Sequence, residues 1–323
     1  MSDVMTGQAI SEQPVPKTKS RPVHELWRRV WKERWIYALF LPGFAYFIIF
    51  KYWPMWGVIM AFENYQPFQG VLGSQWVGLE NFQRFFSDPA FWQLFRNTFI
   101  LAVYNIVFFF PCTIIVALLL NELRIHWFKS SVQTLIYIPH FFSWTVVVGI
   151  TYMLLTTQGG LVNELLNMVG LHQVNFLESS AWFRPLIVIQ DIWKETGWGT
   201  IIFLAALAGV NVELYEAARI DGANRLQQLW HVTLPAIRGV IIIMFILRLG
   251  SFLDVGFEQI WLMLNAMNRD VGEVFDTYVY TLGLQQGQFS YSAAIGLFKS
   301  VVGLILVLGA NKVAKLFGEE GIY

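Results

Sequence analysis

Six stretches of this chain are each long and apolar enough to cross a bilayer, and nothing else in the sequence limits its fold as strongly. A helix crossing a hydrocarbon layer about 30 Å thick needs about 20 mostly apolar residues. Residues 35–59, 98–120, 132–155, 185–210, 239–264 and 293–313 meet that requirement. The runs lack the period-two alternation of barrel strands, so helices are expected. Charged residues make up only 14% of the 323 and hydrophobic ones 56%, whereas a soluble domain is about a quarter charged. Twenty-two basic and 22 acidic residues cancel, so nucleic acid is not an expected partner and membrane lipid is.

Lys and Arg set the expected orientation. Fourteen of them fall in the first tail, the second and fourth loops and the last tail; four, Arg84, Arg96, Arg184 and Arg269, fall on the other side. Both termini are therefore expected in the cytoplasm, in a multi-pass membrane protein. Residues 1–20 are polar and carry Pro14 and Pro16. They lack an apolar core and are expected to be a tail, not a signal peptide. The expected division is a cytoplasmic tail at 1–34, a first helix with an external segment at 35–96, a core at 97–315 and a tail at 316–323. In the external segment, Phe82, Phe85 and Phe86 have helical spacing before Asp88-Pro89 restarts the chain. An interfacial helix or a docking surface is expected there.

The loop at 211–236, between the fourth and fifth spans, carries the strongest pattern. Asn211 suits an N-cap, Glu213 and Glu216 suit a helix start, Ala217 and Ala218 are small, and Gly222 suits a helix stop. Such a helix can insert into a cleft on a partner. Glu216-Ala217-Ala218, then Gly222, then Val232-Thr233-Leu234-Pro235, resembles the EAA loop of binding-protein-dependent ABC permeases, with Val232 in place of the usual Ile. The sequences Gly78-Leu79-Glu80-Asn81-Phe82, Asn97-Thr98, Asp191 to Trp198, Gly256 to Ile260 and Gly318 to Tyr323 are similar to the carbohydrate-uptake, maltose-type group. Within it they are similar to the lipoprotein-linked and alginate-type permeases of oligo- and polysaccharides.

The resemblance implies an all-α type I importer fold with six transmembrane helices. It implies that Glu216, Ala217, Ala218, Gly222, Leu234 and Pro235 couple the chain to an ATPase. The implied partners are a second permease, a dimer of ATPase subunits and an external solute-binding protein. No G-x-x-x-x-G-K-[ST] loop occurs in the chain, so ATP and Mg are expected in the separate ATPase and no cofactor on this chain. His24, His126, His140, His172 and His231 are scattered, no metal-ligand spacing occurs, and Cys112 is the lone cysteine.

Ionisable residues inside spans usually face protein or water. Span four carries Asp191, Lys194 and Glu195 beside Trp193 and Trp198; span five carries Arg248, Asp254 and Glu258; span six carries Phe298 and Lys299. Aromatic faces with polar edges suit sugar rings, so these residues are the candidate substrate pathway, with Trp193, Trp198, Asp254 and Glu258 foremost. Lys194 and Arg248 would favour an acidic glycan. The alternatives are a permease for another small solute, such as a glycerophosphodiester, a polytopic intramembrane enzyme, and a sensor or secondary transporter. The enzyme would need a catalytic constellation, and none is visible.

Overall fold

The computed structural model describes residues 31–316, 318 and 321. The tail at 1–30, with most of its basic run, and most of the 318–323 ending lie outside the described residues. Contacts divide the chain between Trp56 and Gly57. The first unit holds helix α1 (Arg34–Phe47), which carries Pro42, and a π-helical segment at Ile48–Tyr52. A 3-10 stretch, Trp53–Phe62, then runs across the division.

The second unit opens on a hairpin of two short strands, β1 (Glu63–Asn64) and β2 (Gln75–Trp76), with Glu63 opposite Trp76. Helix α2 (Glu80–Ser87) follows. Then α3 (Ala90–Tyr104), a π segment at Asn105–Phe109 and α4 (Phe110–Glu122) form one long helix. After it come α5 (His126–Tyr137), α6 (Trp144–Leu155), α7 (Leu161–Met168), α8 (Ser180–Ala208) and α9 (Val212–Ile220). The chain ends through α10 (Leu234–Gly250), α11 (Phe257–Met263), α12 (Phe275–Val279) and α13 (Phe289–Leu316).

Four helices are long and apolar enough to cross a membrane unbroken: Arg34–Phe62, Ala90–Glu122, Arg225–Gly250 and Phe289–Leu316. Counting each of two bent pairs as one span brings the number to six. One of them corrects the expected straight span at 132–155: it turns by 100° between Phe141 and Trp144. Pro139 tightens the preceding turn into 3-10 geometry, and Ser143 starts α6 by accepting the Val146 N–H. The other correction is in the fifth span. The helix stops at Gly250, not near 264, and residues 251–256 run irregularly to Gly256, whose φ of +91° favours glycine.

Three of the π segments share one cause. Pro54, Pro111 and Pro235 each stand two residues past the end of Ile48–Tyr52, Asn105–Phe109 and Leu229–Thr233. A proline lacks the N–H that would bond the carbonyl four residues earlier, and its ring clashes with it. Those carbonyls belong to Phe50, Val107 and His231, at the middle of each segment. The helix widens there and does not break.

Close backbone approach fixes the bundle. A Cβ at Gly303 of α13 would lie 2.6 Å from the Gly250 carbonyl oxygen of α10, and one at Gly197 of α8 would lie 2.1 Å from that of Ile136 in α5. Small residues of this kind let membrane helices touch. At one end of the unit an aromatic knot forms around Phe85, with Phe91, Phe275, Tyr291 and Phe298. The Asp88 carboxylate ties it by accepting hydrogen bonds from the Tyr278 hydroxyl at 2.9 Å and the Tyr291 hydroxyl at 2.7 Å. Burial by itself would raise the Asp88 pKa. The Tyr291, Ala90 and Tyr278 donors and the Arg84 guanidinium outweigh it and hold the group below the ordinary carboxylate value.

A group depressed in the native state stabilises it fully above its unfolded pKa, about 4, and loses that contribution as pH falls through the native value. In detergent, Asp88→Asn is expected to melt below the unmodified chain at pH 7, and the gap is expected to narrow as pH falls below about 4 through the native value. A gap that persists under acid would contradict the tie. The expected orientation is tested with single cysteines in Cys112→Ala. An impermeant thiol reagent applied to intact cells should label Leu72→Cys, on the hairpin loop, and spare Leu226→Cys, both at exposed positions.

Candidate functional site

The widened helix at Asn105–Phe109 turns Asn105 and Phe109 onto one cavity of about 300 Å³. Its wall is completed by Asp191, Glu195, Trp198 and Gly199 of α8, Arg248 of α10 and Asp254 to Gly256 of the irregular stretch. A small void continues inward from it and shares Asn105, Asp191, Arg248, Asp254 and Val255. Asn105 and Asp191 both lie in the interior of their long helices, away from either end.

The polar groups form three linked units. The Arg248 Nε–H donates to Asn105 Oδ1 at 2.8 Å, and Asn105 Nδ2 donates to Asp191 Oδ2 at 3.3 Å. The Arg248 guanidinium also stands 5.5 Å from the centre of the Phe109 ring. In the second unit, Lys194 Nζ donates to Glu195 Oε1 at 2.6 Å and to the His140 carbonyl at 3.0 Å. Glu195 Oε2 meets His140 Nδ1 at 2.8 Å, and the His140 ring lies parallel to Trp198 with centroids 4.4 Å apart. This unit braces the 100° bend against α8. In the third, Lys299 Nζ donates to Asp254 Oδ1 at 2.6 Å and to Asp276.

The predicted pathway residues therefore divide. Glu195, Trp198, Arg248 and Asp254 line one cavity. Trp193 does not: it lines a separate apolar groove with Val147, Trp182 and Ile189. Five residues at about 100° each put Trp193 and Trp198 about 140° apart around the helix. Lys194 is buried and spent on Glu195 and His140, which removes it as a free cation for an acidic solute. Lys299 lies behind Asp254 and does not line the cavity. Phe298 packs into the Phe85 knot, and Glu258 is exposed at the start of α11, outside the cavity lining. Sequence reasoning missed Asn105 and Phe109; Pro111, four residues past Val107, is the available signal.

The loop at 211–236 has the expected local form. Asn211 Oδ1 accepts the Glu213 N–H at 3.0 Å at the start of α9, and Gly222 ends the turn at φ +79°. Glu216 and Ala217 are exposed, with Val212, Leu214 and Ile220 beside them on the same short helix. The helix is anchored by Tyr215, whose hydroxyl lies 3.0 Å from Thr233 Oγ1. Leu234 and Pro235 start α10 directly after the widened turn.

Residues 109–317 match the family described as "Binding-protein-dependent transport system inner membrane component". The chain is 58% identical over 292 residues to the polygalacturonan/rhamnogalacturonan transport system permease protein YteP of Bacillus subtilis (strain 168), covering 90% of this chain and 91% of that one. It is 52% identical over 317 residues to protein LplB of the same organism, covering 96% and 100%. It also superposes on a chain of the crystal structure of a bacterial alginate ABC transporter in complex with its alginate pentasaccharide-bound periplasmic protein. The TM-score there is 0.84 at 36% identity, covering 92% of this chain and 100% of that one.

Proposed function

Since the chain belongs to the family of binding-protein-dependent transport system inner membrane components, and is a multi-pass permease subunit of an ABC importer, we propose that its solute is an oligo- or polysaccharide. The observation that carries this reading is the cavity between Trp198 and Phe109, edged by Asn105, Asp191, Glu195, Arg248 and Asp254. The apolar face of a pyranose ring suits an aromatic wall, and its hydroxyls suit carboxylate, amide and guanidinium edges. The volume of about 300 Å³ is at the small end for ligand sites, so the chain would be held a short segment at a time. The names of the relatives, a polygalacturonan/rhamnogalacturonan permease and an alginate transporter, support the same class.

In this reading an external solute-binding protein delivers the saccharide, and a second permease closes the other side of the pathway. A pair of ATPase subunits carries ATP and Mg, and a groove on one of them grips α9 and the turn at Gly222. Glu216, Ala217 and Ala218 form the gripped face, and Leu234-Pro235 passes the movement to α10. The cavity binds the saccharide more tightly in one state of the cycle than in the other, as directional movement requires. The test is ATP hydrolysis by the purified complex with its binding protein. Oligosaccharides are expected to stimulate it; stimulation by a glycerophosphodiester and by no saccharide would contradict the reading.

A further inference from the structure

We propose that Arg248, aimed by Asn105, reads the carboxylate of a glycuronyl unit in the cavity; this rests on the saccharide reading above. Three cations stand at or near the cavity, and two are already matched. Lys194 is closed on Glu195, and Lys299 on Asp254 and Asp276. Arg248 is different. It makes no ion pair among the described residues, and the one hydrogen bond of its side chain there runs from Nε to the neutral Asn105 amide.

That bond leaves the two terminal nitrogens of the guanidinium without an acceptor among the described residues, on a side chain that lines both the cavity and the void behind it. Asp191 is the one nearby carboxylate without a lysine, and it is held on the far side of Asn105, which spends its Nδ2 on it. Asn105 thus separates the two charges and fixes the plane of the guanidinium at the same time. A planar fork presented in this way matches the two oxygens of a carboxylate, with two parallel N–H···O bonds. The protein walls lower the local dielectric below that of bulk water, which strengthens the contact. The hydroxyls of a neutral sugar offer no such planar pair of charged acceptors. Asn105 is a positioning residue in this account, and Arg248 the contact.

The test uses the full complex in vesicles, with the binding protein saturating and loaded with trigalacturonate or with its methyl ester. The ester keeps the rings and removes the charge. Arg248→Gln is expected to lower the uptake rate of both probes, and that of the acid at least tenfold more than that of the ester. Arg248→Lys keeps the charge without the fork and is expected to fall between. Asn105→Ala is expected to lower the acid about three- to tenfold more than the ester. Should Arg248→Gln fail to assemble, Arg248→Lys decides: a loss at least threefold larger for the acid than for the ester supports the proposal. Equal effects on both probes, or none on either, would overturn it while leaving saccharide import standing. If the unmodified complex carries neither these probes nor neutral oligosaccharides, the saccharide reading itself fails and this proposal falls with it.

Discussion

Replacing Glu216 with Lys, or Gly222 with Val, is expected to cut uptake by the reconstituted complex at least tenfold while the chain still inserts and folds. Both positions stand on the exposed side of the 211–236 loop, so neither change disturbs the core. A Cβ at Gly222 would meet nothing within 4 Å. The cost there is in the backbone. A φ of +79° is left-handed, which costs a residue with a Cβ roughly 1–2 kcal/mol, and more for a β-branched one. That strain is enough to shift the turn that follows α9, and too small to unfold the unit. Reversing the charge at Glu216 alters directly the exposed face that we propose meets the ATPase. Uptake and ATP hydrolysis should be measured on the same vesicles. Hydrolysis that no longer responds to loaded binding protein, in a complex that still forms, is the expected signature. Unchanged uptake in both variants would remove the coupling role from this loop.

The second large effect is expected at one tryptophan and not at its neighbour. Trp198 lines the cavity with one face covered by His140, and 48% of its surface remains open. Removing a stacking indole costs about 1–3 kcal/mol of binding, or roughly five- to a hundredfold in affinity. Trp198→Ala should therefore raise the half-saturating concentration of the transported saccharide by that factor. Trp193→Ala, facing the apolar groove, should leave it within about twofold. Because Trp198 also backs His140, the loss of its ring loosens the brace on the 138–143 bend. His140→Ala is the control, since it frees the same ring without removing it and should have the smaller effect. If Trp193→Ala and Trp198→Ala shift the half-saturating concentration equally, the cavity at Trp198 is not the one that holds the solute.

The apolar segments and the loop at 211–236 are legible in the sequence because each depends on local chemistry. A bilayer sets the length of a span, and Asn211 and Gly222 act on their own backbone. Where helices touch one another, the sequence is silent. Phe298 and Trp198 are both aromatic residues in apolar helices, yet one fills a knot with Phe85 and the other lines a cavity. The difference lies in what stands opposite, which periodicity cannot report. Lys194 and Arg248 look alike as intramembrane cations, and only the structure shows one closed on Glu195 and the other bonded to Asn105. The helical wheel is enough to separate Trp193 from Trp198, since residues five apart do not share a face. The widening at Asn105–Phe109 is also within reach through Pro111. The early stop at Gly250 is harder, because residues 251–264 remain apolar enough to prolong the run.

This permease is expected to carry saccharide inward when a separate ATPase and an external binding protein drive it. The most direct measurement is uptake of a labelled oligogalacturonide into vesicles that hold this chain, its second permease and the ATPase pair. Accumulation is expected to require both ATP and the loaded binding protein and to be lost in Glu216→Lys. Accumulation without ATP or binding protein, or equal accumulation in Glu216→Lys, would contradict it.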